Sequence, residues 1–266
     1  MMGRVVAVAN QKGGVGKTTT AVNLAAALAL DGSRTLLVDL DPQSSATTGV
    51  GAHASDLEGT VYEVLVGERP GAEVVHRTAI ANLDLIPATR DLVGAEIELV
   101  NLPRREHRLH EGLRGLREHY QFTLIDCPPS LSLLTVNALR AADGLLVPLQ
   151  AEYYALEGLT ALLDTLERVR NTVNPELSLE GLVLTMVDAR NSLARQVETE
   201  VRTHFGTHVF RVVVPRNVRL SESPSHGLPV LLYSPASRGA SAYRALAREL
   251  ISGHEQASAR PSVGVG

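Results

Sequence analysis

Residues 9–20 read "ANQKGGVGKTTT", and this stretch decides the fold. It follows an apolar run, "RVVAVAN" (4–10), and opens the helical pattern of residues 17–31. A glycine-rich turn from a strand into a helix is the setting in which a chain cradles phosphate. Glycines let backbone N–H groups curl around phosphate oxygens, and the N-terminus of the following helix adds a favourable dipole. Here Gly13, Gly14, Val15 and Gly16 supply the cradle. Lys17 is placed to reach the β- and γ-phosphates, the Thr18 hydroxyl to ligate Mg2+, and Thr19 to bond on the α-phosphate side. The common pattern G-x-x-x-x-G-K-[ST] asks for glycine where this chain has Gln11, and Lys12 comes next. This is a variant loop with an added lysine.

The added lysine stands out against the composition. Of 25 basic residues, Lys12 and Lys17 are the only lysines, and all the others are arginine. Lys17 needs a compact ammonium that fits among backbone N–H groups around phosphates, where a planar guanidinium would not fit.

Outward from the loop, short apolar runs alternate with longer amphipathic ones. Strands are expected at 4–10, 35–41, 83–88, 122–128, 144–150, 179–187 and 208–215, and helices at 17–31, 89–101, 131–141, 155–173, 192–205 and 237–252. Several strand runs are nearly continuous Val, Leu and Ile, which suits parallel strands covered on both faces. The alternation predicts an α/β fold with a doubly wound, mostly parallel sheet flanked by helices. Within 144–150, proline cannot donate to a ladder, so the strand is expected to end at Pro148. Residues 1–252 read as a single domain with no DNA-reading domain before it, and the Gly/Ser/Pro-rich stretch 253–266 as a disordered tail.

A phosphate loop of this type needs a second metal carboxylate and a group that positions water. "FTLIDCPP" places Asp126 at the end of an apolar strand, where a metal-binding aspartate is expected. "LLVDLDPQSSA" places Asp39 and Asp41 at the end of another. Asp41, just before Pro42, is the candidate for orienting or deprotonating the attacking water, and also a candidate for the metal shell. A turn or helix-cap aspartate is the competing reading. Asp39 is more buried in the pattern and is either structural or a support of the metal shell.

The 266 residues carry 44% hydrophobic and 20% charged residues, which excludes global disorder. Aromatics are only 3%, so the core must be aliphatic. The net charge of −4 carries no nucleic-acid signal, and any basic surface must be local. One such stretch exists: between Arg190 and Arg219 lie six arginines and only two acids, Glu198 and Glu200. An Arg-rich surface binds the phosphates of any DNA sequence, and an ordinary charged helix face is the alternative. The single cysteine, Cys127, excludes an internal disulfide and points to a reducing compartment. His107 with His110, and His204 with His208, have helical spacing but lack further ligands to complete a metal site. No apolar stretch reaches membrane-spanning length, so the chain reads as cytoplasmic.

"KGGVGKTT", "VDLDPQ", "LIDCPPSL" and "VPRNVRLSESPSHG" together resemble the ParA/Soj family of partition ATPases, with the motifs in the family's order from about residue 5 to about residue 250. The resemblance implies a homodimer that sandwiches ATP and Mg2+. It implies that Lys12 crosses the dimer interface to the partner's ATP, so that Lys12, Lys17 and Asp41 carry catalysis and Asp126 begins a switch segment. Met186 to Asp188, and Pro215 to Asn217, match positions around the adenine, and Glu152 a position near the nucleotide or the dimer contact. The ATP dimer is expected to bind double-stranded DNA without sequence preference. Arg190 and Arg219 match DNA-binding positions, and Arg216 belongs either to that patch or to the nucleotide pocket. A ParB-type partner is expected to stimulate hydrolysis, with the protein on the nucleoid and no membrane involved. A MinD-type membrane ATPase is the alternative, and it would need a C-terminal amphipathic helix that the sequence after Ile251 does not show. A metabolic ligase or a reductase would need an acceptor pocket or a second cysteine.

Overall fold

Val5 and Ala7 turn to one side of the first strand and Val6 and Val8 to the other, and all four are buried. Burial on both faces with a period of two is the mark of a strand inside a parallel sheet. The computed structural model describes residues 3–53, 56–152, 155–188 and 190–259. Along the chain run β1 (Arg4–Val8), α1 (Lys17–Leu30), β2 (Thr35–Asp39), α2 (Ser45–Gly49), α3 (Val61–Val66), β3 (His76–Arg77), β4 (Leu83–Ile86), α4 (Leu92–Leu99) and α5 (Arg108–Leu113). There follow β5 (Phe122–Asp126), α6 (Leu133–Ala141), β6 (Gly144–Gln150), α7 (Ala155–Thr172), β7 (Ser178–Val187), α8 (Ser192–Phe205), β8 (Val209–Pro215), α9 (Val218–Glu222), α10 (Val230–Tyr233) and α11 (Arg238–Ala259).

These strands form an eight-stranded sheet in the order β3-β4-β2-β5-β1-β6-β7-β8. Every neighbouring pair is parallel except β3 with β4. One face is covered by α3 to α8 and the other by α1, α2 and α9 to α11. Helix α1 is apolar nearly all round, with Ala21, Leu24, Ala25 and Leu28 buried, because it lies between the sheet and α11. No helix among the described residues is long and apolar enough to cross a membrane.

Two expectations need correction. The sixth strand keeps the expected bounds of 144–150, to Gln150, and does not end at Pro148. The Leu146 carbonyl faces β1 and accepts from the Ala9 amide. Pro148, two residues on, faces the same way, beyond the point where pairing with β1 stops at Leu146. Its absent N–H therefore costs no ladder bond, and its carbonyl accepts from Asn10 Nδ2 at 2.8 Å. The last helix does not stop at residue 252 but continues to Ala259. Gly253 is a single weak position followed by helix formers such as Glu255 and Ala257, and one glycine costs only about 1 kcal/mol. Residues 260–266 of the expected tail lie outside the described residues.

Candidate functional site

The loop between β1 and α1 is held from three directions. The Asn10 carboxamide donates to Pro148 O and accepts from the Lys12 amide at 3.0 Å. From β7, the Thr185 hydroxyl donates to Val15 O at 2.8 Å. Gly14 and Gly16 have φ of 74° and 88°, the left-handed region that favours glycine. Gly16 is the N-cap of α1 and offers no side-chain cap, and the first turn carries no acidic residue. The first amides of α1 are thus left for an outside acceptor, the arrangement that binds phosphate.

Lys17 is buried at 7% exposure and donates from Nζ to the Lys12 carbonyl at 3.1 Å. Burial lowers its pKa, and the negative charges of Asp126 and Asp41 work against that lowering. Two carboxylates, Asp126 and Asp41, act on this ammonium, and Asp39 neighbours both of them. Asp126 ends β5, beside Val8 of β1 and Asp39 of β2. It is fully buried, and no hydrogen bond of ordinary length and angle reaches its oxygens, although the Thr18 side chain stands close enough to act on it. Burial, then the Asp39 charge, raises its pKa well above the usual carboxylate range, while Thr18 and Lys17 pull the other way. An orphaned buried carboxylate is costly, and a divalent cation shared with the Thr18 hydroxyl is the partner that its chemistry fits.

Asp39 has partners of its own. Its Oδ2 accepts from the Thr47 amide and hydroxyl, both at 2.8 Å, and its Oδ1 from the Asp41 amide at 3.1 Å. Burial lifts its pKa to about 6 despite these bonds. Asp39 thereby pins the 40–47 turn. Asp41 is half-buried within that turn, and its Oδ1 accepts from the Gln43 amide at 2.9 Å. The turn reading of Asp41 is therefore real, and the turn is also what holds its carboxylate towards Lys17.

Lys12 reaches across to the end of β6, where its Nζ donates to Glu152 Oε2 at 2.9 Å. Glu152 also accepts from Gln150 Nε2 at 2.5 Å. Both side chains are well exposed, at 39% and 50%, so the pair is worth only about 0–1 kcal/mol.

Beside Gly16 and Thr19 opens a cavity of about 530 Å³, walled by Met186, Pro215, Asn217 and Tyr243 among others. Met186 has φ of 52°, a strained value for a non-glycine residue. Asn217 accepts from the Arg219 amide at 2.9 Å through Oδ1 and so caps α9. Asp188 does not line this cavity. It lines an adjoining one with Arg190, and Arg216 borders both. Arg219 is held apart by Glu222, from Nη1 to Oε2 at 2.7 Å.

Asn10 and Thr185 escaped the sequence reading, because their partners Pro148 and Val15 lie 138 and 170 positions away along the chain. Cys127 is fully buried, and burial pushes its thiol far up, which makes it inert. His107 Nδ1 accepts from Arg140 Nε at 3.0 Å, and no metal-holding cluster of three or more His, Cys, Asp or Glu occurs among the described residues.

A family profile described as an AAA domain matches residues 3–179. The chromosome partitioning protein ParA of Myxococcus xanthus is 55% identical over 250 residues, covering 94% of this chain and 88% of that protein. The sporulation initiation inhibitor protein Soj of Bacillus subtilis is 53% identical over 249 residues, covering 94% and 98%. Among solved structures, cobyrinic acid a,c-diamide synthase from Mycobacterium smegmatis with bound ADP and magnesium is similar with a TM-score of 0.84 and 38% identity, over 96% of this chain and 97% of that one.

Proposed function

The chain belongs to the ParA/Soj family of chromosome-partitioning ATPases, and on that premise we propose that it is an ATP- and DNA-dependent switch. In this reading it hydrolyses ATP with Mg2+, closes into a homodimer when ATP is bound, and holds double-stranded DNA without sequence preference in that state. A ParB-type partner stimulates hydrolysis and releases it. It works in the cytoplasm, on the nucleoid.

The observation that carries the ATPase reading is the orphaned Asp126 carboxylate beside a loop whose amides and lysine await an anion. The amides of residues 13–19 take the phosphate oxygens, and Lys17 exchanges the Lys12 carbonyl for the β- and γ-phosphates. Thr18 and Asp126, with Asp41 close by, hold Mg2+. The ion would supply positive charge against the phosphates there. Asp41, kept in place by the Gln43 amide, orients the attacking water and accepts its proton. Lys12 leaves Glu152 and carries its charge to the partner's ATP, where negative charge develops. Met186, Pro215 and Asn217 take the base, with Asp188 at the margin of that pocket, and Arg190, Arg216 and Arg219 take DNA phosphates.

The partition names at 55% and 53% identity favour this reading over a membrane ATPase, and over the synthase chemistry named for the structure at 38%. ATP turnover with and without DNA and a ParB-type peptide tests it. Asp41→Ala is expected to bind ATP and remain on DNA with turnover down by about 10²-fold or more. An Asp41→Ala variant that cannot bind ATP makes Asp41 a structural or metal residue instead.

A further inference from the structure

Most arginines whose side chains are engaged here hold a carboxylate: Arg4 binds Glu180, Arg117 binds Asp143 and Arg219 binds Glu222. Arg190, Arg216 and Arg238 differ. All three line one cavity of about 480 Å³, all three are exposed, and none donates a side-chain hydrogen bond or forms an ion pair with a described residue. The cavity holds one carboxylate, Asp188, and its Oδ1 already accepts from the Arg190 amide at 3.0 Å. Three arginines around one cavity that holds a single carboxylate leave an excess of positive charge and of fork-shaped donors. That arrangement fits a phosphate oxygen pair better than it fits the protein alone.

We propose that Arg238 completes, with Arg190 and Arg216, a cup that binds one phosphodiester group of the DNA backbone. Arg238 comes from α11, far along the chain from the arginine-rich segment 190–219, so the charge pattern of that segment does not include it. Pro215 and Arg216 form a wall common to this cup and to the cavity beside Gly16 and Thr19. One short stretch at the end of β8 therefore faces the nucleotide on one side and the DNA phosphate on the other. Arg219 stands outside the cup, tied to Glu222, and contributes less than Arg238. The inference rests on the proposed DNA binding and adds to it a residue and a location.

The test is the salt dependence of binding to a random-sequence duplex with ATP present, for the wild type, Arg238→Ala, Arg238→Lys and the exposed control Arg114→Ala. Removing one phosphate-binding side chain lowers the slope of log K against log salt by about 1 and weakens binding by about tenfold. Arg238→Ala is expected to show both changes, Arg238→Lys to recover the slope, and Arg114→Ala to match the wild type. A wild-type slope in Arg238→Ala overturns the cup. So does equal loss in Arg238→Ala and Arg238→Lys together with a lower melting temperature, which marks a structural arginine. A deficit that appears in the affinity for fluorescent ATP rather than in the DNA slope assigns Arg238 to the nucleotide and also overturns it. Wild-type protein that binds no DNA with ATP defeats the parent reading, an outcome separate from these.

Discussion

Lys12 is parked on Glu152 in the single chain, and the energy of that contact decides what it can be. A half-exposed pair worth about 0–1 kcal/mol is easily given up for a phosphate in a desolvated interface. The contact keeps the ammonium at the site's edge without locking it there. Lys12→Ala is accordingly expected to retain ATP binding, measured with a fluorescent analogue, and to lose the ATP-dependent dimer in sedimentation and turnover. Normal dimers with normal turnover would remove the in-trans role. Asp126 makes the opposite kind of prediction, because its carboxylate is buried beside Asp39 without a hydrogen bond of ordinary length and angle. Asp126→Asn should raise the melting temperature of the nucleotide-free protein, by the equivalent of about 1–3 kcal/mol, and should shrink the further rise produced by Mg2+ and ATP. A less stable nucleotide-free variant would show that the carboxylate has a structural partner. Lys17, Thr18 and Asp126 were legible in the sequence because each is fixed by spacing from a strand end. Asn10, Thr185 and Arg238 were not, since what they touch or line is brought near only by the sheet or by α11.

Elements position these residues through their ends. Helix α1 starts on a left-handed glycine without a side-chain cap, and the amides this leaves open are the proposed phosphate site. Helix α3 is the contrast, a short helix closed by a full capping box. The Thr60 amide and hydroxyl donate to Glu63 Oε2 at 2.9 and 2.6 Å, and the Tyr62 amide donates to Thr60 Oγ1 at 3.2 Å. Burial would raise the Glu63 pKa, but the bonds from Thr60 outweigh it and hold the carboxyl below its usual 4.5. Because the folded value lies below the unfolded one, this stabilisation is complete above the unfolded pKa and is lost as pH falls through the folded value. Glu63→Gln should cost about 0.5–1 kcal/mol at neutral pH, less near pH 3, in urea unfolding at both pH values. An equal cost at both would separate the cap from ionisation. At this scale the long apolar strands were readable, 144–150 among them, whereas the two-residue β3 and the passage of β6 beyond Pro148 were not. The first has no apolar run, and the second depends on which side of the sheet has already run out of ladder partners.

The whole molecule gathers the site at one edge of the sheet. The phosphate loop leaves the C-terminal end of β1, Asp39 and Asp126 end β2 and β5, and Glu152 follows β6. Met186 and Pro215 close the same edge at β7 and β8. Parallel strands put all their C-terminal ends on one side, which is why residues from position 12 to position 217 can meet around one nucleotide. The arginine cup adjoins this edge and shares Pro215 and Arg216 with the nucleotide cavity. A dimer that closes over ATP would present two such cups, and doubling the phosphate contacts raises both affinity and salt dependence. The nucleotide state should therefore decide DNA binding. The direct measurement is the affinity of the wild-type chain for a random-sequence duplex, at one fixed salt concentration, with ATP and Mg2+, with ADP and Mg2+, and with no nucleotide. Tight binding with ATP alone, weaker by at least about tenfold in the other two states, is the predicted result; equal binding in all three would contradict the switch.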